Sequence, residues 1–199
     1  HQLLLYKMRL NKFLASQSQL SRRNVDNAIS DGLISVNNET ATLGQQLLHG
    51  DIVEFDNELF VYSEEITMAK LLIALNKPQG VVSTCDLDEP NNIISFIKDH
   101  CKDLLVAQKI SETRLFPIGR LDKDSRGLIL LTNDGQLTYE LTHPKFAHQK
   151  EYIVNTTNNI DSSFINQLRS GISFQCEQDM VTSKPCFAEQ IDDKVFRII

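Results

Sequence analysis

Apolar positions along the chain switch between two periods, and the switches mark its elements. Leu10, Phe13 and Leu14 fall at i, i+3 and i+4, which predicts a short helix with Arg9 and Lys12 off its apolar stripe. Val25, Ala28 and Ile29 repeat that spacing after Ser21, a good N-cap, and Gly32 follows as a C-terminal stop. Strand-like pieces come next: Ile34-Ser35-Val36, a turn at Asn37-Asn38, a polar crossing to Gly50-Asp51, then Ile52-Val53-Glu54-Phe55. Two helices on a small sheet are expected over residues 8–62.

A polar, acidic bridge at residues 64–69 is the expected boundary, with a second domain over residues 70–199. It opens on an apolar strand at 71–75, turns through Asn76-Lys77-Pro78-Gln79-Gly80 and resumes at 81–84, which reads as a hairpin. Asn92 can cap a helix carrying Ile93, Ile94 and Ile97 to near Cys101. Residues 102–114 show no clear period and are expected as a loop before Leu115-Phe116-Pro117-Ile118.

The run from Gly127 to Thr132 is unbroken and apolar, and Asn133-Asp134-Gly135 closes it with a strong turn signal. A strand apolar on both faces belongs in the middle of a sheet, so the charged stretch before it, Arg120 to Arg126, is anchored at the rim of a core. Leu137 and Leu141 suggest a short helix that stops before His143-Pro144, and 148–154 alternates as a strand. A helix capped by Asp161 or Ser162 carries Phe164, Ile165 and Leu168 and ends at Gly171. Strands at 172–174, 186–191 and 195–199 follow, the last two joined by the turn Asp192-Asp193-Lys194. Many strands with few short helices predict an α+β domain with a mixed, largely antiparallel sheet.

Composition is that of a folded chain: 41% of the 199 residues are apolar and 23% charged. No apolar run reaches the roughly 18 residues a membrane helix needs, and no membrane association is expected. The opening His1 to Lys7 is not a secretory signal, and a natural start near Met8 is expected. Cys85, Cys101, Cys176 and Cys186 form no Cys-x-x-Cys pair, which predicts reduced thiols in a cytoplasmic protein and no metal site. His143 and His148 read as loop residues.

The net charge of −6 speaks against simple nucleic-acid binding, but the average conceals a division. Lys7, Arg9, Lys12, Arg22 and Arg23 stand among no acids up to Val25, whereas residues 26–69 hold nine acids and no Lys or Arg. Local sign governs what a surface attracts. Arg22 and Arg23 also oppose the dipole at a helix N-terminus, a placement that stability alone does not favour.

Gly119-Arg120-Leu121-Asp122, followed by Ser125, Gly127 and Leu130-Leu131-Thr132-Asn133-Asp134-Gly135, resembles the signature of the pseudouridine synthases. The type is the RsuA-like class, which modifies ribosomal RNA. Residues 8–55 resemble the S4 RNA-binding module, with Asn38 where that module usually has Gly; Asn tolerates a left-handed conformation. The resemblance places structured RNA against the two helices and thus near Arg9, Lys12, Arg22 and Arg23. It implies that Asp122 is the catalytic residue and that residues 75–84 form a motif beside the active site.

Lys150-Glu151-Tyr152 matches a second motif whose tyrosine packs on the target base and takes part in catalysis, a role that passes to Tyr152. Arg120 corresponds to a residue that fills the vacated stack or grips phosphate. Lys77 and Lys150 are expected either at the RNA backbone or as solvated lysines. Family members continue beyond a strand like 195–199 into a third motif, Gly-x-Asn-Arg-Gln-Ile-Arg-Arg or similar, so these residues are expected to be part of a longer catalytic domain.

Turning uridine into pseudouridine breaks the bond from ribose C1′ to N1 of uracil and rejoins C1′ to C5, with no oxidation and no call for ATP, cofactor or metal. It asks for a carboxylate near C1′, as in glycosidases. Asp124 could share a face with Asp122 in an extended segment, but a close pair would repel, and Asp124 is read as a cap or loop residue. The resemblance implies an enzyme whose partner is ribosomal RNA, and a monomer is expected. The alternatives are an RNA-binding protein without catalysis, working through the S4-like module, and a hydrolase using Asp122 with Asp124.

Overall fold

The computed structural model describes residues 7–63, 69–177 and 179–199. Most of the opening segment and of the expected bridge, at 1–6 and 64–68, lies outside them. The chain divides into two compact units, His1–His143 and Pro144–Ile199.

The first unit holds two separate cores. In the earlier one, α1 (Leu10–Gln17) buries Leu10, Phe13, Leu14 and Ala15, and α2 (Arg22–Ser30) buries Val25, Ala28 and Ile29, as their spacing predicts. Ser21 caps α2, its Oγ accepting the Asn24 N–H at 3.1 Å. A short β1 (Met8–Arg9) pairs with β4 (Gln46–Leu47). Beneath the helices lies a four-stranded antiparallel sheet of β2 (Ile34–Val36), β3 (Glu39–Thr40), β5 (Ile52–Phe55) and β6 (Glu58–Val61), in the order β3-β2-β5-β6.

Its two tight hairpins need left-handed backbone at both central residues. Asn37 and Asn38 supply φ of 54° and 68°, and Asp56 and Asn57 supply 53° and 62°. Asn38 therefore serves where glycine is usual. Phe13 and Tyr62 meet edge to face across this core, ring centres 5.4 Å apart.

The second core is built on β7 (Leu72–Lys77), β8 (Phe116–Ile118) and β9 (Gly127–Thr132). Their order is β7-β9-β8 and both ladders are antiparallel, so the apolar run is central as expected. One face of this sheet, with Ile73, Leu75, Ile129 and Leu131, packs with Ile93, Ile94 and Ile97 of α3 (Ile93–His100) and Ile110 of α4 (Leu104–Glu112). On the opposite face Leu72 is 58% exposed and Leu128 70% exposed. That face of the doubly apolar strand is covered only towards its end, where Leu130 is half-buried and Thr132 buried.

Two expectations change here. Residues 81–84 do not return as a hairpin strand; β7 takes β9 as its partner, and 81–84 makes a single parallel bridge from Val82 to Asn92. The segment expected as a loop at 102–114 contains α4, capped by Asp103, which accepts the Leu105 and Val106 N–H groups. Leu104 and Leu105 are exposed and only Ile110 is buried, so the helix has no apolar stripe to read.

After β9 comes α5 (Gly135–Thr142), capped by Asp134 and stopping before His143-Pro144. Lys70 Nζ lies 2.7 Å from the Asp134 carboxylate and holds it below the usual carboxylate range, helped by the Leu137 and Gln136 N–H groups.

In the second unit, β10 (Tyr152–Asn155), β13 (Ala188–Asp192) and β14 (Val195–Ile198) form an antiparallel sheet in the order β10-β14-β13. Helix α6 (Ser162–Ser170), capped by Asp161, places Ile165 and Leu168 with Ala188 and Phe196 in a small core. Gly171 ends the helix at φ 95°, where a side chain would collide with the Ser183 carbonyl oxygen. A hairpin of β11 (Ser173–Cys176) and β12 (Asp179–Thr182) follows, and β12 goes beyond the elements expected from sequence. The architecture is α+β, and its strand ladders are antiparallel.

Candidate functional site

The loop between β8 and β9 is held by its main chain. Leu121 is half-buried against the second core, and both its peptide groups bond to one side chain. Ser83 Oγ donates to the Leu121 carbonyl at 2.8 Å and accepts the Leu121 N–H at 3.2 Å. Past Asp122, the Lys123 carbonyl accepts the Gly80 N–H at 2.8 Å and Lys77 Nζ at 3.3 Å. The Asp122 carbonyl itself accepts the Ser125 N–H at 3.0 Å, which closes a turn.

Between these anchors Asp122 is exposed, and no hydrogen bond or ion pair to its carboxylate occurs among the described residues. Arg120, Lys123 and Asp124 are exposed on the same loop. The direction in which the Asp122 carboxylate leaves the protein therefore follows from backbone geometry.

Lys77 departs from expectation. It neither lines a surface that RNA could reach nor stays solvated: its exposure is 0%. The three N–H groups of its ammonium meet the carbonyls of Val81 at 2.7 Å, Pro78 at 3.0 Å and Lys123 at 3.3 Å. A buried lysine is tolerated when its donors are satisfied, and here they tie the 78–81 turn to the Asp122 loop.

Arg9, Lys12, Arg22 and Arg23 are all exposed, on or beside α1 and α2. No acidic residue lies in the first turn of α2 to offset Arg22 and Arg23. Asn11 Nδ2 donates to Asp26 at 2.9 and 3.0 Å, joining the two helices that carry the cations.

In the second unit Lys150 is exposed, and Tyr152 is 55% exposed at the start of β10, opposite Ile198. Between β10 and β13, the central strand β14 carries Arg197. Its Nε bonds to Glu151 at 2.5 Å and its Nη1 to Glu189 at 3.1 Å, which raises the guanidinium above its ordinary value, Glu151 contributing most. This cluster lies beyond the site residues expected from sequence. Its signal is the 192–194 turn, because closing that hairpin brings Arg197 opposite Glu189.

No helix among the described residues is long and apolar enough to cross a membrane. The four cysteines are free thiols, and burial pushes the Cys85 thiol up.

A family model described as RNA pseudouridylate synthase matches residues 71–194, which is more than half of the chain. This chain belongs to the pseudouridine synthase family. An S4 domain model matches residues 8–53, over the two cation-bearing helices and most of their sheet.

The chain is 37% identical over 191 residues to the dual-specificity RNA pseudouridine synthase RluF of Escherichia coli strain K12, covering 96% of this chain and 60% of that protein. It is 33% identical over 172 residues to the ribosomal large subunit pseudouridine synthase B of Xylella fastidiosa strain Temecula1, covering 84% of this chain and 34% of the relative. A solved structure described as a crystal structure of pseudouridylate synthase superposes with a TM-score of 0.52 at 30% identity, covering 96% of this chain and 76% of the other. The synthase chain thus spans about 60% of the length of the RluF relatives it matches.

Proposed function

We propose that this synthase chain converts a uridine in RNA to pseudouridine, with the Asp122 carboxylate acting at ribose C1′. The observation that carries the reading is an exposed carboxylate whose main chain is bonded on both sides, on the loop that leads into the central strand of its sheet. In the reaction the C1′–N1 bond breaks, uracil turns, and a C1′–C5 bond forms; the C5 proton passes to solvent and N1 gains one. A carboxylate facing C1′ either attacks it or stabilises its developing positive charge. The target nucleotide must first leave its stack, at a cost of about a few kcal/mol. Arg120, exposed on the Asp122 loop, offers a cation for the gap or a phosphate, and the Lys150-Glu151-Tyr152 motif is what carries the base-packing role to Tyr152, itself more than half exposed.

We assign the front module, residues 8–62, to holding RNA through Arg9, Lys12, Arg22 and Arg23, and residues 70–199 to catalysis, with Lys150 as a further RNA contact. The substrate class is ribosomal RNA, in keeping with the name of the Xylella relative as a ribosomal large subunit synthase, and a monomer in the cytoplasm is part of the same proposal.

The test is tritium release from RNA labelled at uridine C5. The chain releases label, and Asp122→Ala stops release while RNA affinity stays within about twofold. Binding without release by the unaltered chain leaves an RNA-holding protein, and release that survives Asp122→Ala removes the carboxylate from the mechanism.

A further inference from the structure

We infer that Ser83 is a positioning residue for Asp122, acting through the main chain of Leu121; the inference rests on the catalytic reading of Asp122 given above. Ser83 is 8% exposed and lies outside the Asp122 loop, after the turn that Lys77 ties down. Its single hydroxyl serves both peptide groups of Leu121, donating to the carbonyl and accepting from the N–H. In effect it takes the place of a neighbouring strand at one residue.

Two further facts give that bond its leverage. Leu121 immediately precedes Asp122, so the peptide plane fixed by Ser83 sets the Cα–Cβ direction of the aspartate. The carboxylate has no partner of its own among the described residues, so nothing at the side-chain end corrects a main-chain error. On the other side of Asp122, the Ser125 N–H holds the Asp122 carbonyl and the Gly80 and Lys77 bonds hold the Lys123 carbonyl one peptide further on, but all of these leave the Leu121 peptide untouched. Misplacing a reacting group by about 1 Å can cost about a hundredfold in rate, while substrate binding at distant points is unaffected. Ser83 does not touch RNA; its effect belongs to the chemical step.

The experiment compares Ser83→Ala and Ser83→Thr with the unaltered chain on C5-tritiated RNA, and follows amide hydrogen exchange at Leu121. The alanine variant is expected to lower kcat by about 10- to 100-fold with KM and RNA affinity within about twofold. Threonine, which keeps the hydroxyl, should restore kcat to within about fivefold, and exchange at Leu121 should quicken in the alanine variant alone. The inference is overturned by alanine with unaltered kcat, by threonine as slow as alanine, by KM rising in step with the fall in kcat, or by unchanged Leu121 exchange. If the unaltered chain releases no tritium, the catalytic reading fails, and the exchange measurement still decides whether Ser83 holds Leu121.

Discussion

Lys77 carries its ammonium 3.3 Å from the main-chain carbonyl of Lys123, the residue after Asp122. The two lysines have opposite surroundings, one sealed in the core and one exposed on the loop. Lys77→Met keeps most of the volume and removes three charge-assisted bonds. It should lower unfolding stability by about 2–4 kcal/mol, since the carbonyls of Pro78, Val81 and Lys123 are each deprived of a donor. Urea unfolding measures this, and a drop below about 0.5 kcal/mol would show that the buried ammonium contributes no net stability.

Arg22 and Arg23 sit where the dipole of α2 disfavours them, with no carboxylate in the first turn. Replacing both by alanine should weaken RNA binding and flatten the plot of log affinity against log salt by about 0.7–0.9 for every phosphate that is no longer neutralised. The same change should leave thermal stability unaltered or slightly raised. Filter binding across salt concentrations gives the slope, and a slope equal to that of the unaltered chain would take α2 out of the RNA interface.

Asp134 links α5 to Lys70, and that hydrogen bond is the main cause of its lowered pKa. A carboxyl held below its unfolded value stabilises the fold above about pH 4 and loses that contribution as pH falls through the folded value. Asp134→Asn can still cap the helix but is uncharged. Lys70 is largely exposed and solvent screens the pair, so the loss at pH 7 should be small. The variant should also lose less stability than the unaltered chain between about pH 5 and pH 3. Denaturant titrations at several pH values follow this, and parallel acid limbs would count against the pairing.

Gly171 combines a left-handed φ with a close approach of the Ser183 carbonyl oxygen, so Gly171→Ala should destabilise the second unit by about 1–3 kcal/mol or more. Hydrogen exchange in α6 and in the β11–β12 hairpin should quicken with it. An alanine variant as stable as the parent would mean that the helix end shifts freely.

Local chemistry made much of the fold legible. The caps Ser21, Asn92 and Asp161, the paired left-handed Asn37 and Asn38, and the apolar run of β9 each act through neighbours in sequence, and each stands at its expected position. What escaped depends on distant partners or on missing burial. Lys77, between Asn76 and Pro78, looks like part of a solvated turn until the fold brings Lys123 to it. Helix α4 exposes Leu104 and Leu105, and β12 is exposed along its length, so neither shows a burial period. The Asp122 loop is legible as a motif, whereas its hold on Ser83 lies 38 residues away and cannot be read from spacing.

Because the peptides flanking Asp122 are bonded within the folded chain, the conformational entropy of ordering them falls on folding and is not subtracted from the encounter with RNA. A free loop of the same sequence would have to be frozen at each turnover. On the proposed reading of Asp122, a nucleotide would meet a carboxylate whose backbone is already at rest, and the freedom left to lose would be that of the aspartate side chain and of the RNA.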